Sequence, residues 1–229
     1  MRTQTVARKR GRERDSDAAR TAILSAAREE FAAHGFSGAR IDDIARAAGY
    51  NKALIFHYFG DKLGLYRTLM SHTKERMFGR FNALYEDVFR QEDDMVSADR
   101  VRYFTAECVR AVFDYYAAHP QIARIFAWEA AEGWRTYISC SPHAPSSWAT
   151  RVLDLAQRWQ AAGIARKDLD PVLLHTTLTS LPMFHLVSLP RYQTIYPDTD
   201  FTSPEALAHA REQLTELVLR GILTQPEEA

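Results

Sequence analysis

Only two cysteines, Cys108 and Cys140, stand in a chain of 229 residues. That is too few for a disulfide framework, and no Cys-x-x-Cys pair exists. No apolar run approaches the roughly 18 residues that a membrane span needs. No apolar segment follows the charged N-terminus, so no secretory signal is expected and a cytoplasmic location is. Alternation of Val, Ile or Thr with polar residues is nearly absent, which argues against a sheet. The eight histidines include no His-x-x-x-His pair and no H-E-x-x-H. No metal and no cofactor are therefore expected. G-x-S-x-G and P-loop glycine patterns are missing as well, which argues against an enzyme. One carboxylate pair, Asp168 and Asp170, lies just before Pro171, where helix capping accounts for it.

What is present is charge, unevenly placed. The net charge is zero. Residues 1–70 hold 13 Lys+Arg against 8 Asp+Glu, a net of +5, and the remainder balances this at −5. A basic first third on an acidic remainder points to a polyanion as partner of the first third. A solvated tail is the alternative, since Arg2, Arg8, Lys9, Arg10, Arg12 and Arg14 supply much of the excess. Residues 1–14 carry no apolar periodicity and are expected to form a basic disordered tail.

Beyond the tail the pattern is helical. Asp15, Ser16 and Asp17 offer N-caps, and Ile23, Ala27 and Phe31 recur every four residues, giving a helix over about 17–34 closed by Gly35. A second helix is expected from about Arg40 to Ala48. After "GYN", with Gly49 as the turn and Asn51 as cap, comes a third from Lys52 to Phe59. Asp61 caps a fourth, running toward Phe89. Further helices are expected over 100–118, 120–139, 146–163, 169–188 and 204–222. The breaks fall at Pro120, at Pro142 and Pro145, at Gly163, and across a polar loop of about 15 residues from Pro190 to Pro204.

The stretch "AGYNKALIFHYFGDK", residues 48–62, is too polar for a core helix and too aromatic for a solvated one. A helix-turn-helix reconciles the two. Gly49 supplies a turn with φ > 0, and small Ala45 allows the helices to cross closely. The second helix is amphipathic, with Leu54, Ile55 and Phe59 inward and Asn51, Lys52 and His57 outward. Such a helix fits the major groove. With its flanks, "FAAHGFSGARIDDIARAAGYNKALIFHYFGDKLGLY", residues 31–66, it resembles the DNA-binding domain of the tetracycline-repressor (TetR) family of bacterial transcriptional regulators. The resemblance covers about residues 17–70.

The resemblance implies an all-α protein with three parts. These are the tail (1–14), a helix-turn-helix DNA-binding domain (15–62), and a larger helical ligand-binding and dimerisation domain (63–225). It implies a homodimer on a palindromic double-stranded DNA operator, acting as a repressor released by a small-molecule effector; the lack of a long apolar run adds the expectation that no membrane is involved. Carried over by position, Asn51, Lys52, Ala53 and Leu54 start the recognition helix within reach of base edges. His57 faces outward beside them. Phe56 stands where the family has a phosphate-binding tyrosine, and the hydroxyl of Tyr58 can restore that contact. Lys62, at a helix N-terminus, suits a phosphate. Ala39 falls where a Thr or Ser usually caps the second helix, and Arg40 can contact phosphate instead.

Apolar stripes in the remainder nominate a ligand pocket. Phe104, Cys108, Val112 and Tyr115 come from one helix, Trp128 and Trp159 from others, and His175, Leu178 and Phe184 from a fourth. Polar Cys108, Tyr115 and His175 on apolar faces are the better candidates, and the ligand expected is hydrophobic or aromatic. Most aromatics at helical spacing are core, so core is the competing reading for each. Two further stripes nominate a dimer interface: Leu174 and Leu181 (with Leu178), and Leu207, Ala210, Leu214, Leu217 and Val218; the rival reading is that these stripes face their own subunit's core. The alternative function is a helical small-molecule-binding protein or enzyme without a DNA-binding role.

Overall fold

The computed structural model describes residues 2–140 and 147–224. Among them every regular element is helical, apart from one isolated antiparallel bridge between Ala165 and Leu223. The ten α-helices of the described residues are α1 (Arg2–Gly38), α2 (Ile41–Ala48), α3 (Lys52–Phe59), α4 (Lys62–Val88), α5 (Ala98–Ala118), α6 (Pro120–Ala131), α7 (Arg135–Cys140), α8 (Ser147–Ala161), α9 (Pro171–Ile195) and α10 (Pro204–Ile222). A 3₁₀ turn, Glu92–Val96, links α4 to α5. The break expected at Pro142 and Pro145 lies outside the described residues.

The chain forms two compact units. One runs to Thr73 and also takes in Arg124 through α7; the other comprises Lys74–Ala123 and the chain from α8 onward. The DNA-binding domain expected to close at residue 62 is thus part of a larger compact unit. The basic stretch expected to be disordered continues α1 from Arg2. Its Arg, Lys, Ala and Glu residues are good helix formers. Asp15, Ser16 and Asp17 consequently lie inside α1 and start no helix, and α1 kinks at Gly35 rather than ending there.

In the first unit Ile23, Ala27, Phe31, Ile44 and Ile55 are wholly buried. Phe31, Phe36 and Tyr66 close the cluster, with Tyr66 edge-on to both rings at 5.0 and 5.2 Å. α2 ends in a Schellman turn. Gly49 has φ 75°, its N–H donates to the Arg46 carbonyl, and the Tyr50 N–H donates to that of Ala45. Asp61 caps α4 by accepting from the Gly64 N–H at 2.6 Å. A Cβ on Gly64 would stand 2.0 Å from the Phe59 carbonyl oxygen, so only glycine lets α4 start this close behind α3.

In the second unit α5 packs against α9 and α10, and α8 packs against α9. Arg110 holds Glu212 at 2.7 Å and Glu107 at 2.8 Å, while Arg211 holds Asp114 at 3.1 Å, so a ladder of ion pairs sets the register of α5 and α10. These pairs are part-exposed, and each contributes only about 0.2–1 kcal/mol. The expected helix over 120–139 is two helices, broken at Gly133 and Trp134, both at positive φ.

α9 departs most from expectation. It continues through Pro182 and Pro190 to Ile195, so the loop expected from Pro190 is shortened to residues 196–203. It is also long and apolar enough to cross a membrane, with a mean hydropathy of 1.3 over its best window. A strict search for apolar runs misses this, because scattered Thr, His and Ser interrupt the run without lowering the average much. Packing against α5, α8 and α10 uses part of that apolar surface.

The Gly64 geometry yields a stability prediction. Gly64→Ala should destabilise the protein by about 1–3 kcal/mol, because backbone rather than a flexible side chain must move, read as a lower urea midpoint at unchanged slope.

Candidate nucleic-acid interface and ligand cavity

Asn51 accepts the Leu54 N–H at 2.8 Å through Oδ1 and so caps α3. The cap fixes the rotation of α3, with Ile55 and Phe59 in the core. Lys52, Ala53, Phe56 and His57 are then exposed together, while Leu54 and Tyr58 are half-buried. Lys52 Nζ lies 3.1 Å from Asp42 on α2 and 5.9 Å from the Phe56 ring. The Arg20 guanidinium sits over Tyr58 at 5.5 Å and Phe59 at 5.8 Å. Arg20 is a cation beside α3 that spacing within α3 could not reveal.

Arg40, not Ala39, occupies the N-cap of α2. Its backbone is extended, no side chain caps the helix, and its N–H donates to Glu30 Oε1 at 3.1 Å. Ala39 is buried and Arg40 exposed. Lys62 differs from a free phosphate ligand. Its ammonium lies 4.8 Å from the centre of the Phe36 ring and 3.4 Å from the Ser37 carbonyl. Burial lowers its pKa from the usual lysine value, against the raising pull of Glu30 and Glu132.

The second unit contains a cavity of about 20 Å³, room for about one water. Of the expected ligand residues, Phe104, Cys108, Val112, Trp159, His175 and Leu178 line it. Three do not. Tyr115 packs against Tyr116 and His119. Trp128 belongs to the first unit, where its indole N–H donates to the Ala32 carbonyl at 3.3 Å and its ring covers Gly35. Phe184 is 67% exposed on the outer side of α9. Periodicity places residues on a common stripe but cannot say which neighbour covers it. Phe81, Thr105, Val152, Leu155 and Thr179 complete the lining and are not among the residues that the sequence nominates. Thr105 lies three residues before Cys108 and Thr179 four after His175, so the helical stripe already pointed to both.

Burial pushes the Cys108 thiol pKa up and keeps it protonated. Burial likewise lowers the pKa values of His175 and His185. The Trp159 indole N–H is committed to the Met95 carbonyl at 3.0 Å. Among the expected interface residues, Leu174, Leu214 and Val218 are buried in their own unit, which corrects their assignment to a surface. Leu207 and Ala210 are half-buried, whereas Leu181 and Leu217 are exposed, the latter 63%. Among the described residues no cluster of His, Cys, Asp or Glu could hold a metal ion.

Comparison with known proteins matches both parts of the chain. Residues 23–69 match the family model described as "Bacterial regulatory proteins, tetR family", and residues 105–218 match "Tetracyclin repressor-like, C-terminal domain". The chain is 29% identical to the HTH-type transcriptional repressor NicS of Pseudomonas putida over 213 residues, 92% of this chain and 95% of that one. It is 34% identical to the repressor SCO4008 of Streptomyces coelicolor over 119 residues, about half of each chain. A TetR family transcription regulator from Marinobacter aquaeolei superposes with a TM-score of 0.64 at 21% identity, covering 93% of this chain and 100% of that one. The ketosteroid regulator KstR2 of Mycobacterium tuberculosis gives 0.63 at 19%, covering 90% and 95%. At these identities the two structures show a shared fold.

The two histidines yield a pH prediction. Their folded pKa values lie below the usual 6.5, so the unfolded chain binds more protons as pH falls. Their contribution to stability should be full above about pH 6.5 and be lost as pH drops below it toward the folded values. Urea titrations between pH 7.5 and 5 should show this decline, and a His175→Gln/His185→Gln variant should show less of it.

Proposed function

Because this chain is a member of the TetR family of bacterial transcriptional regulators, we propose that it is a homodimeric repressor that leaves a palindromic operator when a small apolar ligand enters the second unit. The observation that carries the DNA-binding part is the capped α3, which buries Ile55 and Phe59 while leaving Lys52, Ala53, Phe56 and His57 exposed side by side. Asn51 sets the start of that face. Arg40, Tyr58 and Lys62 flank it as phosphate contacts, Arg40 being the cation with the most exposed setting. Leu54, half-buried, adds apolar contact at the helix start.

The dimer reading rests on α9 and α10. Leu173, Leu181, Phe184 and Leu217 are large, apolar and exposed. An exposed apolar patch of this kind marks an interaction surface, and a second copy supplies a two-fold partner with the same patch. Half-buried Leu207 and Ala210 complete the stripe on α10. The effector reading rests on the cavity. One water's volume cannot hold a ring compound, so binding must repack its walls. α9 is the pliable wall, since Pro182 and Pro190 each remove a backbone donor from its ladder.

Fluorescence anisotropy on the intergenic DNA beside the gene, against scrambled DNA and over a salt series, tests the regulator. Tight, salt-dependent binding with a large preference for the first is expected, and equal weak binding to both, together with failure on a library of random duplexes, would sink it. Arg40→Ala and Lys52→Ala should each reduce the magnitude of the log K against log[salt] slope by about 1.8, because the dimer carries each side chain twice and every phosphate contact contributes about 0.9. Light scattering should give a mass near twice the 26.1 kDa of one chain, and Phe184→Glu/Leu217→Glu should bring it to a single chain. A wild-type monomer would remove the dimer reading.

A further inference from the structure

Several helical threonines of this chain share a habit. Thr73, Thr176, Thr177, Thr179 and Thr215 each donate the hydroxyl to the carbonyl four residues back, at 2.8–3.0 Å. Thr105, in the middle of α5, does not. It is 1% exposed, it lines the cavity, and its Oγ1 has no hydrogen-bond partner among the described residues. A buried hydroxyl left unpaired is costly and uncommon, and its presence in a cavity wall calls for a reason.

The rest of the lining narrows that reason. The hydroxyl hydrogen of Thr179 is committed to the His175 carbonyl, and the Trp159 indole N–H to Met95. Cys108 offers a protonated thiol, a weak donor. His175, with its pKa lowered by burial, offers one ring nitrogen as donor and the other as acceptor. No Lys, Arg, Asp or Glu lines the cavity. A charged ligand would therefore give up its hydration with no opposite charge to meet it. Apolar and aromatic side chains make up the remaining walls.

We propose that the cavity takes an uncharged, mainly apolar ring compound bearing one hydroxyl or carbonyl group, anchored by the Thr105 hydroxyl with the His175 imidazole as the other polar contact. The proposal rests on reading this cavity as the effector site, and it adds the chemistry of the ligand. It excludes carboxylates of the same size.

Three matched probes test it at pH 7.5: 4-methylphenol, toluene and 4-methylbenzoate. Binding to the full-length protein is followed by ligand-observed NMR titration, for wild type, Thr105→Val and Thr105→Ser. Thr105→Val keeps the side-chain shape and removes an unpaired polar atom, so it should fold at least as well as wild type. It should weaken 4-methylphenol about tenfold, the effect of one good hydrogen bond, and leave toluene within about twofold of wild type. Thr105→Ser should retain the phenol, and 4-methylbenzoate should bind at least about tenfold more weakly than 4-methylphenol. The proposal is overturned if Thr105→Val leaves 4-methylphenol unchanged, if 4-methylbenzoate binds as tightly, or if no probe binds. DNA anisotropy on the same samples separates the two readings. Threonine-dependent phenol binding that leaves DNA affinity untouched would uphold the ligand chemistry and sink the effector role. A preference for the carboxylate that releases DNA would do the reverse.

Discussion

Glu129 is a carboxylate buried in the first unit, and its neighbours are arranged around it. Carboxylate oxygens out of water need donors. Tyr66 on α4 donates its hydroxyl to Oε1 at 2.5 Å, and the Tyr137 N–H on α7 donates to Oε2 at 3.0 Å. The same Tyr66 ring lies edge-on to Phe31 and Phe36. One side chain thus meets an apolar demand from α1 and a polar demand from α6. Burial, reinforced by the Glu129 bond, pushes the Tyr66 phenol pKa far up, so it remains a donor throughout the working pH range. Trp128 on Gly35 and Ser37 on Glu132 add to the same junction. This is why the compact unit that presents α3 is larger than the three helices of its helix-turn-helix.

The second unit places contrasting demands on α9. Its inner side supplies His175, Leu178 and Thr179 to the cavity, while Leu173, Leu181 and Phe184 stand exposed elsewhere on its surface. A helix with apolar residues both inside and outside needs something to cover the outside, and only about a fifth of its most apolar window is buried within one chain. Two prolines inside it weaken the backbone ladder that would otherwise stiffen that wall. The ion-pair ladder between α5 and α10 holds the opposite wall in register.

Much of this was legible from residue order. The helical period, the turn at Gly49, the cap at Asn51 and the bounds of α3, α5, α8 and α10 appear where spacing and capping chemistry put them, because these features are set by neighbours within a turn or two along the chain. The family was legible for the same reason, since its motif is a local register of glycine, aromatic and small residues. Six of nine nominated pocket residues line the cavity because the inward stripes of α5 and α9 are strong.

What residue order could not decide was which element covers a given stripe. Leu214 and Val218 share a face with Ala210, yet the first two are sealed by their own unit. Trp128 looked like a pocket residue until Ala32 and Gly35 supplied its partners. Phe184 lies on an apolar helix but outside its core. Thr105 reads as an ordinary helical threonine, and only the packing around it leaves its hydroxyl unpaired. The sequence alone determined the bounds of α3, α5, α8 and α10, the cap at Asn51 and the turn at Gly49, because those depend on contacts a few residues apart. Tertiary structure decided burial, the Tyr66 hydroxyl as donor to Glu129 and the polarity of the cavity, because those depend on residues dozens of positions apart meeting in space.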